Sequence, residues 1–395
     1  MKKLVCLLAL VLAIAMLAGC SLVSVNPEKV IVAKVGDKTI TKAEFDTAFA
    51  EFLAGYGYTV DSEELADQIG EIKQNYIDLM VQDLVQTQKL VELGLDQISD
   101  EEKAAAEAEV DAWYQESIAS LAENYSSEED PEAAAKEYID SYLTSYGTTL
   151  EQMKSDEVNS IPLNKLFDQV TADVTVSEDD VKAKYDEQVE TDKELYSADL
   201  ATFISARSYG TTIYYNPEGC FFVKHILIAL PEEQQDEIYA LRSDDDDTVV
   251  ATADAKRDEY LAAIAEKAQM VLDKVTAGGD FELLLEEFGE DPGMKSDTYA
   301  DGYLTYVGNT NYMTEFTEAC DKLTADGMTS GLVATDYGYH IIRRVSTLAS
   351  GAVAYDEVKA ELEASLLDTA KEDAYTAQVQ AWQDEMGVEI FADKL

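Results

Sequence analysis

Only two histidines occur in the 395 residues, His225 in FVKHILI (222–228) and His340 in GYHIIRR (338–344), and both lie in short apolar runs. Each is followed by aliphatic residues, so each imidazole reads as a polar group set into a buried strand. A buried imidazole needs hydrogen-bond partners, and two joined through hydroxyls can fix each other's tautomer and orientation as a rigid wall. The alternatives are a metal site and a pair of hydrogen-bonded core histidines. Zinc needs three or four ligands at recognisable spacing, and two histidines among scattered carboxylates do not supply them. No metal and no cofactor is therefore expected. From the strands alone, hydrogen-bonded core histidines are the simplest reading.

The elements that must hold the pair are legible around it. After the turn signal YYNPEG (214–219) comes CFFVKHILIAL (220–230), apolar on both faces and so an interior strand. Alternation puts Val223, His225 and Leu227 on one face. A helical stretch with AAIAEKAQMVLDKV, the pair Gly278-Gly279, a short helix and a Gly-rich loop lead to the strand GYHIIRRV. Strand, helices and strand make an α+β unit with both histidines on strands. An acidic insertion, PEEQQDEIYALRSDDDDTVV, interrupts it. Its Asp244 to Asp247 run lacks the Gly and spacing of a calcium loop and reads as a solvated loop.

Upstream, VIVAKVGDKTITKAEF reads as a strand, a Gly36-Asp37 turn and a helix opened by a capping box of Thr41 and Glu44. Ser99 with Glu102 and Ser177 with Asp180 open two more helices in the same way. Ile72, Tyr76, Met80, Leu84 and Val91 suggest one apolar stripe, and residues 30–218 a mostly helical domain. Near the end, Tyr375, Val379, Trp382 and Met386 form another stripe. A lone amphipathic helix cannot hide such a stripe in water. The segment 348–395 is therefore expected to pack back on the helical domain, with residues 219–347 inserted between its parts.

Lys and Arg number 29 against 80 Asp and Glu, for a net charge of -51 spread along the chain. This charge argues against nucleic acid as a partner, while 47% hydrophobic residues argue against disorder. The leader MKKLVCLLALVLAIAMLAGC has a basic start and an apolar stretch from Leu4 to Leu17, too short to span a bilayer comfortably, and so reads as a secretory signal (1–19). Its ending, Leu17 to Cys20, resembles the lipobox of bacterial lipoproteins, which implies lipidation at Cys20 and a linker over 20–29. Beyond these, Cys220 and Cys320 are either two buried thiols or one disulfide, with no framework pattern to decide.

The residues VKHILI, TAGGDFELLLEEFGED, DGYL, EFTEACDKL, DGMTSGLV and TDYGYHIIRRV together resemble a parvulin, the small peptidyl-prolyl cis-trans isomerase domain, over nearly all of 219–347. AKVGDKTITKAEF and the helices after it resemble the N-terminal domain of SurA-like and PrsA-type foldases. The resemblance implies a fold of class α+β, a parvulin-like domain (small antiparallel sheet with flanking helices) inserted in a mostly helical SurA-N-like chaperone domain. It implies His225 and His340 as the paired histidines, Asp291 beside the bound proline, Thr335 as a threonine bridging to the histidines, and Phe316 in the proline pocket with Tyr312, Met313 and Leu304. Where many parvulins show Gly-x-Leu-Gly and then an aromatic pair, this chain has Gly302-Tyr303-Leu304-Thr305-Tyr306-Val307. Tyr312 stands where a methionine is usual. The function implied is isomerisation of Xaa-Pro bonds, with chaperone activity, in unfolded or newly exported polypeptides, by an extracytoplasmic protein lipid-anchored to the bacterial cell membrane. The other reading is a tethered chaperone whose parvulin module binds but turns over weakly.

Overall fold

The computed structural model describes residues 30–126, 128–243 and 246–395. The signal segment, Cys20 and the linker lie outside the described residues, as do Asp244 and Asp245 of the acidic run. The chain divides into two compact units, one reaching to Thr175 and taking in Leu367–Leu395, the other Val176–Leu366.

In the first unit, β1 (Ile31–Val35) turns through Gly36, at φ 58°, into β2 (Lys38–Thr41). The helices α1 (Lys42–Gly55), α2 (Ile69–Leu93), α3 (Asp100–Ala122), α4 (Pro131–Ser145) and α5 (Leu150–Thr171) follow. Thr41 and Ser99 cap α1 and α3, each with a reciprocal bond from the Glu three residues on, so orphan amides at both ends of the box are satisfied. Phe45, Phe49, Ile77, Val81, Val85 and Leu166 make the core. Val379 and Trp382 join the same cluster, with Tyr375 and Met386 against it, and β9 (Glu389–Ile390) pairs antiparallel with β1. Lys89, nearly buried on α2, is held by Glu385 at 3.1 Å and Glu92 at 2.9 Å.

The stripe expected on α2 is shifted. Tyr76 is buried and Ile72, Met80 and Leu84 pack partly buried against the core, but its fully buried centre is the row through Ile77, Val81 and Val85, and Val91 is exposed. Steps of four residues advance about 40° beyond a full turn each, so a stripe drawn that way walks off the buried face.

The second unit begins with α6 (Glu178–Ala198), capped by Ser177 with Asp180, and α7 (Leu200–Ser208). β3 (Tyr215–Asn216), β4 (Cys220–Ala229), α8 (Glu232–Arg242), α9 (Asp247–Val250), α10 (Ala253–Thr276) and α11 (Phe281–Phe288) follow, then β5 (Tyr303–Tyr306), α12 (Thr314–Asp321), β6 (Thr329–Thr335), β7 (Gly338–Thr347) and β8 (Gly351–Ala352). The helix α13 (Tyr355–Met386) gives its first residues to this unit and the rest to the other.

Two expectations are corrected here. Residues 176–218 and 348–366, expected in the helical domain and its returning segment, belong with the inserted unit. The reason is local: Val181 and Tyr185 of α6 pack with Val358 and Leu362, while Phe203 and Ile204 of α7 pack with Cys220. Tyr185 also donates its hydroxyl to the Val353 carbonyl at 2.5 Å, and Asp192 accepts the Tyr214 amide at 2.6 Å. The acidic insertion, in turn, is helical over α8, because Ile238 is fully buried against Leu230 and Leu261.

The sheet of this unit is antiparallel with strand order β5-β4-β7-β6. One face, with Ile226, Ile228 and Ile341, is covered by Ala268 and Val271 of α10 and Phe281, Leu284 and Leu285 of α11. The other face carries Val223 and Ile342 under Phe316, Ala319 and Cys320 of α12. Both histidines point to this second face, since Leu227 pairs with His340 and His225 with Ile342. Cys220 and Cys320 are free and buried.

Candidate active site

The β4/β7 register makes His225 and His340 diagonal neighbours on one face, a separation that ring side chains can bridge. Their Nδ1 atoms lie 2.9 Å apart, with ring centroids at 5.0 Å. At one end, His225 Nε2 is 2.5 Å from Asp291 Oδ2. At the other, His340 Nε2 is 2.8 Å from Thr335 Oγ1, which also accepts the Tyr337 amide at 3.1 Å. The histidines therefore meet directly, and Thr335 touches only His340 rather than bridging the pair. Asp291 takes two further donors: Tyr303 at 2.8 Å on Oδ2 and the Gly293 amide at 2.9 Å on Oδ1.

Electrostatics gives this chain a direction. Burial alone would raise the Asp291 carboxyl, but the bond and charge of His225, with Tyr303 and the Gly293 amide, outweigh it and hold the group at about 2. Burial, and then the charge of His225, pushes His340 down to about 3, with Asp291 opposing. An ionised Asp291 only accepts hydrogen bonds. His225 therefore donates through Nε2–H; with its other nitrogen unprotonated it accepts at Nδ1, and His340 then donates through Nδ1–H and accepts from the Thr335 hydroxyl at Nε2. One proton order satisfies every group with both rings neutral.

The apolar part adjoins it. Phe316, 5% exposed, stands edge-on to both imidazoles, at 5.3 Å from His225 and 5.4 Å from His340. Tyr312 lies 5.6 Å from Phe316 and 5.9 Å from Tyr303, and Met313 packs in the same cluster. Leu304, expected in this pocket, is not there: alternation along β5 sends Tyr303 and Thr305 to the histidine face and Leu304 to the opposite one, against Leu200 and Phe203. Burial raises Tyr312 to about 12, so it remains a neutral phenol. The histidines are 3% and 5% exposed, so they act from beneath the surface rather than at it.

Sequence reasoning overlooked Tyr303 and Gly293. The strand start after Gly302 was legible, but only the pairing across β4 places Tyr303 on the face of Val223. Gly293 lacks room for a side chain, because a Cβ there would stand 2.0 Å from the Tyr303 hydroxyl.

Comparison with known families decides the assignment. Residues 225–346 match the family described as PPIC-type PPIASE domain. The chain carries a parvulin-type peptidyl-prolyl isomerase domain. Residues 1–119 match the SurA-like N-terminal domain, so the chain joins a SurA-like N-terminal domain to the isomerase domain. Along its whole length the chain is similar to Foldase protein PrsA of Clostridium tetani, 24% identical over 98% of this chain and 95% of that protein. It is 22% identical to Foldase protein PrsA of Clostridium botulinum, over 100% and 98%. Among solved structures, PrsA from Bacillus subtilis is 19% identical, covering 90% of this chain and 91% of that one at a TM-score of 0.23. The assignment rests on the two family matches.

Proposed function

We propose that this foldase catalyses cis–trans isomerisation of Xaa-Pro bonds in exported polypeptides at the site around His225, His340 and Asp291. The observation that carries this is the unbroken hydrogen-bond chain from Tyr303 through Asp291, His225 and His340 to Thr335, set beside Phe316, Tyr312 and Met313. No bond is broken in the reaction. The barrier is the loss of amide resonance, about 18–20 kcal/mol, and the planar forms of an Xaa-Pro bond are close in energy. A catalyst must bind the twisted imide better than either planar one.

The roles follow from the chemistry. The twisted imide carries less charge on its oxygen than the planar imide, so a dry apolar wall at Phe316, Tyr312 and Met313 favours it. His340, which burial keeps neutral, presents no mobile charge to stabilise the planar ground state. Asp291, whose two oxygens already accept three donors, acts by fixing His225 rather than by reaching the substrate carbonyl. Asp291→Ala is expected to lower kcat/KM on a short proline peptide by about ten- to a hundredfold. Suppression of client aggregation should persist, if it belongs to the SurA-like unit. Equal rates for variant and wild type would remove Asp291 from the reaction.

The protein works outside the cytoplasm, tethered through a diacylated Cys20. The support is the LAGC sequence behind an apolar leader, since two acyl chains hold a protein to a bilayer where one does so only marginally. Cys20→Ala should move the protein from the membrane fraction to the soluble one, and unchanged partitioning would remove the anchor.

A further inference from the structure

We propose that Tyr303 is a positioning residue of the isomerase site, its hydroxyl holding the Asp291 carboxylate in the one orientation that fixes the His225 tautomer. The inference rests on the isomerase reading above. It stands on how few donors hold Asp291. A carboxylate can orient an imidazole only if donors other than that imidazole hold it, and here Gly293 supplies Oδ1 while Tyr303 shares Oδ2 with His225. Without the phenol, His225 would be the sole donor to Oδ2, and rotation of the carboxylate would break the bond that selects the ring's proton.

Three features show a place built for this hydroxyl. Tyr303 follows Gly302, whose φ of 97° a side chain would strain, and whose Cβ would stand 2.5 Å from the Val223 carbonyl. The strand thus starts tight against β4, and Tyr303 comes to the histidine face opposite Val223. Its ring is then held on three sides, by Tyr299 edge-on at 4.8 Å, Tyr312 at 5.9 Å and His225 at 5.7 Å. Finally, the turn after Asp291 has a glycine where any Cβ would collide with the hydroxyl, and that same glycine gives its amide to Asp291. Burial and then Asp291 raise the phenol, so it stays a hydrogen-bond donor throughout the working range.

The experiment uses the full chain and three variants, Tyr303→Phe, Tyr303→Leu and Gly293→Ala, with isomerisation of a short Xaa-Pro peptide followed by NMR exchange. The His225 Nε2–H proton is observed in the same samples, and backbone amide spectra of β4 and β7 report folding. Tyr303→Phe keeps the ring and removes only the hydroxyl, so KM should stay within about twofold while kcat falls about tenfold, as for one hydrogen bond to a charged group. The His225 proton signal should broaden through faster exchange with water. Gly293→Ala, which keeps the phenol but displaces it, should do the same. Tyr303→Leu should raise KM as well. If Tyr303→Phe matches wild type in kcat and in the imidazole signal, the ring alone matters and the inference falls. If wild type itself turns no peptide, the isomerase reading falls and takes the inference with it.

Discussion

His340 faces Leu227 across the sheet, one diagonal step from His225, and that offset brings the two Nδ1 atoms to 2.9 Å. A register slip of one residue would send one imidazole to the other face among Ile226, Ile228 and Ile341. The proton order along the chain therefore depends on strand register as much as on residue type.

Thr335→Val tests the far end of that order. The change keeps shape but removes the donor to His340 Nε2 and the acceptor of the Tyr337 amide. Leaving buried polar groups unpaired costs about 1–3 kcal/mol. A matching drop in denaturation midpoint, with lowered kcat, is expected; unchanged midpoint and rate would mean Thr335 orients nothing.

Acid should loosen the isomerase domain through His340. Its folded value of about 3 lies below the ordinary 6.5, so the unfolded chain takes up the proton first as pH falls. The stability this contributes is complete above about pH 6.5 and is lost as pH falls towards 3. Asp291, held at about 2 rather than 3.8, adds its own loss only below about pH 4. Urea midpoints read from β4 and β7 amides should decline from pH 7 to pH 4, and His340→Gln should flatten the decline. A wild-type midpoint independent of pH would contradict the buried neutral imidazole.

Gly338 should resist replacement. Its φ is 142°, and a Cβ would stand 2.2 Å from the Ile228 carbonyl of the neighbouring strand. Gly338→Ala must open the sheet beside His340 or distort the turn, at a cost of more than about 1 kcal/mol. Thermal melts of the two proteins, side by side, would reveal a tolerated alanine as no change in midpoint.

The thiols should be silent in the native protein. Burial raises Cys220 to about 11 and Cys320 to about 12, so neither forms thiolate near neutral pH. Thiol reagents should label both only in denaturant. Fast labelling of the native protein would overturn this burial.

Local chemistry was legible in the chain. The three capping boxes are written as residue pairs three apart, and each forms. The strands of His225 and His340 followed from apolar runs, and alternation correctly grouped Val223, His225 and Leu227. The same rule, carried to β5, would have exchanged Leu304 for Tyr303, but nothing local fixes which residue of a four-residue strand faces inward. That was decided by pairing with Val223.

Other features required the tertiary structure for a common reason: they depend on residues far apart in sequence. Whether α6 and α7 join one unit or the other turned on partners near Cys220 and Val358, not on their own amphipathic pattern. The short strand Glu389–Ile390 exists because β1 offers it an edge. Residue types determined that the chain has two imidazoles, a carboxylate and an aromatic pocket to use. Only the folded sheet, closing the 66 positions between His225 and Asp291 and the 115 between the histidines, set their hydrogen bonds and therefore the direction of their protons.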